Sequence, residues 1–136
     1  MTQDVTIDFE GEELASPWLP TGDQAPAVLI FPTVMGVSDL EREFAGRLNA
    51  LGYSAMIGDL FGTATRGQSR DEMFGHMGRL KGDRAVLLRR LEALLGAVKA
   101  KGPATVAVIG YCFGGLCALD LARSGADVAG VASFHG

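Results

Sequence analysis

Apolar and polar side chains alternate over Val5, Thr6, Ile7, Asp8 and Phe9, which is the period of a strand with one wet face. Glu10-Gly11-Glu12 and a second segment at 14–19 follow, so the pattern predicts an antiparallel hairpin on the edge of a sheet. Pro17, Pro20 and Thr21-Gly22-Asp23 are expected to close it as loop. Residues 27–31, Ala-Val-Leu-Ile-Phe, are apolar without alternation, as expected for a central parallel strand covered on both faces. Ser38 and Glu41 then form a capping box, with Ser38 as N-cap and the glutamate three positions on. The helix it opens is expected to keep Leu40, Phe44, Leu48 and Leu51 near one face and to stop at Gly52.

Residues 53–57 read as the next strand, which gives the βαβ rhythm of an α/β fold. A polar loop at 63–68 leads to a second capping box, Ser69 with Glu72, and a helix carrying Met73, Phe74, Met77 and Leu80 that breaks near Gly82. From Asp83, Val86, Leu87, Leu91, Leu94, Leu95 and Val98 recur at helical spacing until Gly102-Pro103. That repeat is too short and too wide for a coiled coil, so these side chains are assigned to the core. A last strand is expected at 128–133, and the sequence shows neither internal repeat nor low-complexity segment.

Between those last elements lies the most informative stretch. The apolar run 106–109 is followed by Gly110-Tyr111-Cys112-Phe113-Gly114-Gly115, and then by a small-residue helical pattern that runs to about Ser124. Strand, sharp Gly-x-Cys-x-Gly turn and helix are the parts of a nucleophile elbow, with cysteine in the position of the attacking side chain. Such a turn brings its neighbours close together, which requires Gly110 and Gly114 to lack side chains and lets Gly115 pack near the strand. Cys112 is expected in strained backbone geometry at a helix N-terminus, where free N–H groups and the helix dipole favour negative charge. The alternative is a buried structural cysteine beside a Gly-rich turn.

Composition narrows the setting. The chain has 136 residues, enough for one core and too few for two sizeable domains. A net charge of -4 with 48% hydrophobic residues is globular and carries no footprint for nucleic acid. No run approaches the roughly 20 apolar residues needed to span a bilayer, and the first residues carry no secretory pattern. A cytoplasmic protein without membrane or nucleic-acid partners is the expectation. Cys112 and Cys117 have neither redox nor disulfide-framework spacing, and His76 and His135 lie far from them in sequence, so no metal site is expected.

The elbow at 110–115, the Gly-Asp-Leu-Phe-Gly segment at 58–62, residues 122–127 and Ser133-Phe134-His135-Gly136 together resemble the dienelactone hydrolase family. The likeness runs from about Val28 to Gly136. It implies an α/β-hydrolase fold, a mostly parallel sheet with helices on both faces, and hydrolysis of a lactone or activated ester through a cysteine nucleophile and an acyl-enzyme. In that fold an oxyanion meets two backbone N–H groups. The resemblance places them at Phe113, the residue after the nucleophile, and at Val34 in the first βα turn.

The family carries a glutamate at the position aligned with Thr33, and threonine cannot take a thiol proton at neutral pH. Thr33 is therefore expected only to shape the pocket. Family acids and bases follow the nucleophile on later strands. Residues 1–136 are accordingly expected to be the N-terminal part of a single hydrolase domain, apparently truncated, with the triad aspartate and histidine beyond Gly136 and the chain alone lacking a complete triad. The expected final strand would leave an apolar edge unpaired, in keeping with that reading.

Other residues keep two readings each. His135 lines the pocket or is an ordinary strand-end histidine, and His76 is read as a partly exposed helix residue. Asp59, at a strand end, is read as capping a loop, although strand ends are also where α/β sites gather. Arg66, Arg70, Arg79 and Arg84 are surface charges or include an anchor for an anionic lactone. No cofactor or metal is implied, and the partner expected is a small-molecule ester or lactone. A general carboxylesterase or thioesterase, a catalytically silent fragment and a thiol redox sensor remain as alternatives.

Overall fold

The structure, a computed structural model, describes residues 3–135. The elements in order are β1 (Gln3–Phe9), β2 (Glu12–Leu19), β3 (Ala27–Phe31), α1 (Asp39–Ala50), β4 (Ser54–Ile57), α2 (Arg70–Gly82), α3 (Arg84–Lys99), β5 (Val106–Tyr111), α4 (Phe113–Arg123) and β6 (Gly130–Phe134). They build one six-stranded sheet in the order β1-β2-β4-β3-β5-β6. β1 pairs with β2 and β2 with β4 antiparallel, and the β4-β3-β5-β6 contacts are parallel. The sheet is mixed and mostly parallel, as expected.

Helices cover both faces. On one, α3 and α4 bury Leu87, Leu91, Leu94, Cys117 and Leu121 against Leu29, Phe31, Met56 and Val108. On the other, α1 packs Ala45, Phe44 and Leu48 over Val28, Ile30, Ala55 and Ile57. Every residue of β3 is therefore buried, which is why its sequence shows no alternation. Full burial of such a side chain stabilises the fold by about 1.5–3 kcal/mol.

Two local expectations need correction. Pro17 lies inside β2, opposite Asp4, and does not close the hairpin as loop. It is tolerated because β2 meets β4 only from Trp18 onward, so its missing N–H leaves that flank of the ladder intact. Leu40 in α1 and Leu51, which caps it, are exposed, 46% and 73%, while Glu41 and Ala45 are buried. The inward stripe runs through 41, 44, 45 and 48, and the capping carboxylate occupies a place the pattern assigned to leucine.

Candidate active site

β5 runs straight into α4 through Cys112, which adopts φ 55° and ψ -118°. Left-handed backbone of this kind is rarely adopted by residues with side chains and is held only when the surroundings enforce it. They do so here. A Cβ on Gly110 would lie 2.7 Å from the Gly115 nitrogen and nearer still to the Gly114 carbonyl. One on Gly114 would lie 2.5 Å from the Pro32 carbonyl oxygen and nearer to that of Phe31. The Cys112 N–H donates to the Phe134 carbonyl at 2.8 Å, while its own carbonyl accepts from Gly115 at 2.9 Å. These contacts lock the elbow between β3 and β6 and leave the Cys112 side chain exposed.

The loop after β3 faces the elbow. Thr33 folds it: its carbonyl accepts from the Gly36 N–H at 3.0 Å and its hydroxyl from the Met35 N–H at 3.2 Å. The Val34 N–H is not used in that turn, and the Phe113 N–H begins α4; neither has an intramolecular acceptor among the described residues.

A cavity of about 380 Å3 brings Cys112 together with Val34, Phe113 and His135, and with Arg70, Phe74, Met77, Lys81 and Leu116. Thr33, expected at the pocket wall, is not among the lining residues, because its side chain is turned to the loop backbone. His135 lines the cavity with φ 57°, placed there by the pairing of Phe134 with Tyr111 and by the stacking of their rings at 5.1 Å. The α2 wall escaped the sequence reading except for Arg70 as one candidate of four. Its signal was the spacing 70, 74, 77, 81, one helical face on which two cations flank Phe74 and Met77.

The remaining candidates are employed elsewhere. Asp59 is buried, accepting from the Ala15 and Gly62 N–H groups and from the Arg66 guanidinium, each at 3.0 Å, so it caps its loop. Arg84 grips Asp120 with two nitrogens, joining α3 to α4. His76 is half-buried between Gln68 and Arg79, on a different side of α2 from Cys112. The second thiol, Cys117, is sealed in the core, and burial followed by the charge of Asp120 pushes its pKa far up. Among the described residues, no helix is long and apolar enough to cross a membrane.

A mostly parallel sheet faced by helices, with a strained elbow presenting a thiol at the end of β5, defines an α/β-hydrolase fold. The sequence model of the dienelactone hydrolase family matches residues 14–136, and the chain belongs to that family. No curated protein matches it. Among solved structures it is similar to one named m3DLH, at 33% identity and a TM-score of 0.89, covering 99% of this chain and 59% of that one. It is also similar to a dienelactone hydrolase-like promiscuous phosphotriesterase from metagenomic libraries, at 32% identity and a TM-score of 0.90, covering 100% and 59%. A dienelactone hydrolase from Anabaena variabilis, at 18% identity and a TM-score of 0.71 over 98% and 62% of the chains, shares the fold. The chain thus spans 59% of the length of the first two.

Proposed function

We propose that this chain carries the acyl-transfer site of an ester or lactone hydrolase, with Cys112 as nucleophile. The observation that carries this reading is the strained elbow that exposes Cys112 to a cavity it shares with Val34 and Phe113. The thiolate sulfur bonds to the acyl carbon while the carbonyl electron pair moves to oxygen. The N–H groups of Phe113 and Val34 receive that oxyanion. Preorganised donors of this kind are each worth roughly two to three powers of ten in rate. The tetrahedral species then expels the alkoxide oxygen, which takes a proton from solvent, and leaves a thioester on Cys112. Addition of water to the thioester restores the thiol and releases the acid.

Phe74, Met77 and Leu116 offer an apolar bed to the acyl group, and Arg70 stands ready for a carboxylate on it. Of the four arginines weighed from the sequence, Arg70 is the one on this cavity. We assign the acid and base to the share of the hydrolase domain that this chain, spanning 59% of two similar structures, does not cover. A second reading is favoured by the likeness to the promiscuous phosphotriesterase. The same thiolate would attack phosphorus in an aryl phosphotriester, forming an S–P bond as the aryloxide leaves.

Single-turnover acylation tests the proposal without needing the base. With p-nitrophenyl acetate, release of one equivalent of nitrophenol and one acetyl group located on Cys112 by peptide mass are expected, and Cys112→Ala abolishes both. Acetylation spread over other residues, or undiminished in Cys112→Ala, refutes the reading. An aryl phosphotriester in the same assay decides the second.

A further inference from the structure

Two capping boxes in this chain do one local job in opposite surroundings. At the start of α2, Glu72 accepts from the Ser69 N–H at 3.0 Å and Ser69 Oγ accepts from the Glu72 N–H at 3.2 Å, all at the exposed surface. At the start of α1, Glu41 Oε1 accepts from the Ser38 N–H at 2.9 Å and from its hydroxyl at 2.5 Å. Here the carboxylate is wholly buried, and Oε2 has no partner among the described residues. Burying a carboxylate with one oxygen unpaired is costly. The box of α2 shows that an exposed pair starts a helix equally well, so the buried one calls for a second role.

Its position supplies that role. The loop 32–38 is held at its start, where the Phe31 and Pro32 carbonyls press on Gly114. It is held at its end by Glu41 through Ser38, and Val34 lies between these anchors. The helix that Glu41 opens also reaches the strand leading into the elbow, where burial, and after it the charge of Glu41, hold the phenol of Tyr111 above its usual range. Tyr111 is stacked on Phe44 of α1 at 4.8 Å and immediately precedes Cys112. α1 thus adjoins both the loop that carries Val34, through Glu41 and Ser38, and the strand that ends at Cys112, through Phe44.

We propose that Glu41 is a positioning residue: through Ser38 it fixes the loop that presents the Val34 N–H to the acyl oxygen. The proposal rests on the reading of Cys112 as an acyl-transfer nucleophile. Two reactions of Cys112 in the chain as it stands separate the roles. Acylation by p-nitrophenyl acetate passes through an oxyanion; alkylation by iodoacetamide displaces iodide at a saturated carbon and forms none. Glu41→Gln keeps the shape but replaces the charge by an amide, and Ser38→Ala removes the hydroxyl while leaving Glu41 in place. Both are expected to slow acylation about tenfold, the scale of a slightly misplaced donor, and to leave alkylation unchanged. Glu72→Gln, at the exposed box, should change neither rate.

A merely structural role would move the two reactions together or not at all, and either result overturns the proposal. Should Glu41→Gln fail to fold, Ser38→Ala carries the test alone. A wild-type chain that is alkylated at Cys112 but never acylated overturns the hydrolase reading, and this inference with it.

Discussion

Gly114→Ala is the sharpest perturbation the elbow offers. The added Cβ would sit 2.5 Å from the Pro32 carbonyl oxygen and 2.6 Å from the Phe31 carbonyl carbon, against a floor of 3.0 Å for real Cβ contacts. The Phe31 carbonyl oxygen lies nearer still and all three atoms are backbone, so α4 must part from the end of β3 and the loop after it by about an ångström. Overpacking of this kind costs about 1–3 kcal/mol. A Gly-to-Ala change inside a helix returns up to about 1 kcal/mol, so a net loss of about 1–2 kcal/mol is expected. The same displacement separates the Phe113 N–H, which moves with α4, from the Val34 N–H, which stays with the loop. Acylation of Cys112 should therefore fall by about ten- to a hundredfold in the folded protein, while iodoacetamide alkylation persists.

The assay pairs urea denaturation with the two rates. Gly96→Ala is the control, because a Cβ there meets open space within α3; it should raise stability by about 0.5–1 kcal/mol. If Gly114→Ala matched the wild type in urea midpoint and acylation rate, the close approach of α4 to β3 would be wrong, and the account of the elbow with it.

Cys117 makes stability depend on alkaline pH. Its folded pKa is raised, by burial first and the charge of Asp120 second, so the folded state holds a proton that the unfolded state releases. Its contribution is whole below the ordinary thiol value of about 8.5 and is lost as pH rises above it, at up to about 1.4 kcal/mol per pH unit. Urea midpoints should fall between pH 7 and pH 9.5 and fall less in Cys117→Ala; equal slopes would contradict the burial. Asp59→Asn removes the charge that Arg66 meets and leaves one of two buried N–H donors without its acceptor, costing about 2 kcal/mol. Acylation of the folded fraction should not change, and a loss of rate without a loss of stability would give Asp59 a chemical role.

The parts of the fold that announce themselves in the sequence are those whose geometry admits few residues. Gly110 and Gly114 could be read as an elbow because only glycine fits where a strand end meets a carbonyl. Residues 27–31 could be read as a central strand because burial on both faces leaves no polar position. Pattern fails where a polar group is satisfied locally. Glu41 fills the inward stripe of α1 because its own cap bonds one of its oxygens, a circumstance hydrophobic periodicity cannot register. The cavity face of α2 mixes Arg70, Phe74, Met77 and Lys81 and so reads as weakly amphipathic. Thr33 is expected from the sequence to shape the pocket, yet its hydroxyl is taken by the Met35 N–H, a competition decided within one turn.

None of the features that set the distance between Val34 and Phe113 touches the cavity. Gly114 fixes it by having no side chain, and Glu41 fixes it by holding Ser38 at the end of the loop. Each is costly in isolation, one as backbone without rotamers to pack and the other as a carboxylate without water. Such costs persist in a folded chain where they hold a conformation that cheaper residues would let relax. The strained Cys112 backbone is that conformation. A serine or alanine in place of Cys112 would inherit the same φ and ψ, because glycine contacts and ladder bonds enforce them and the sulfur does not. The strained elbow is thus set by the scaffold and not by the side chain it carries.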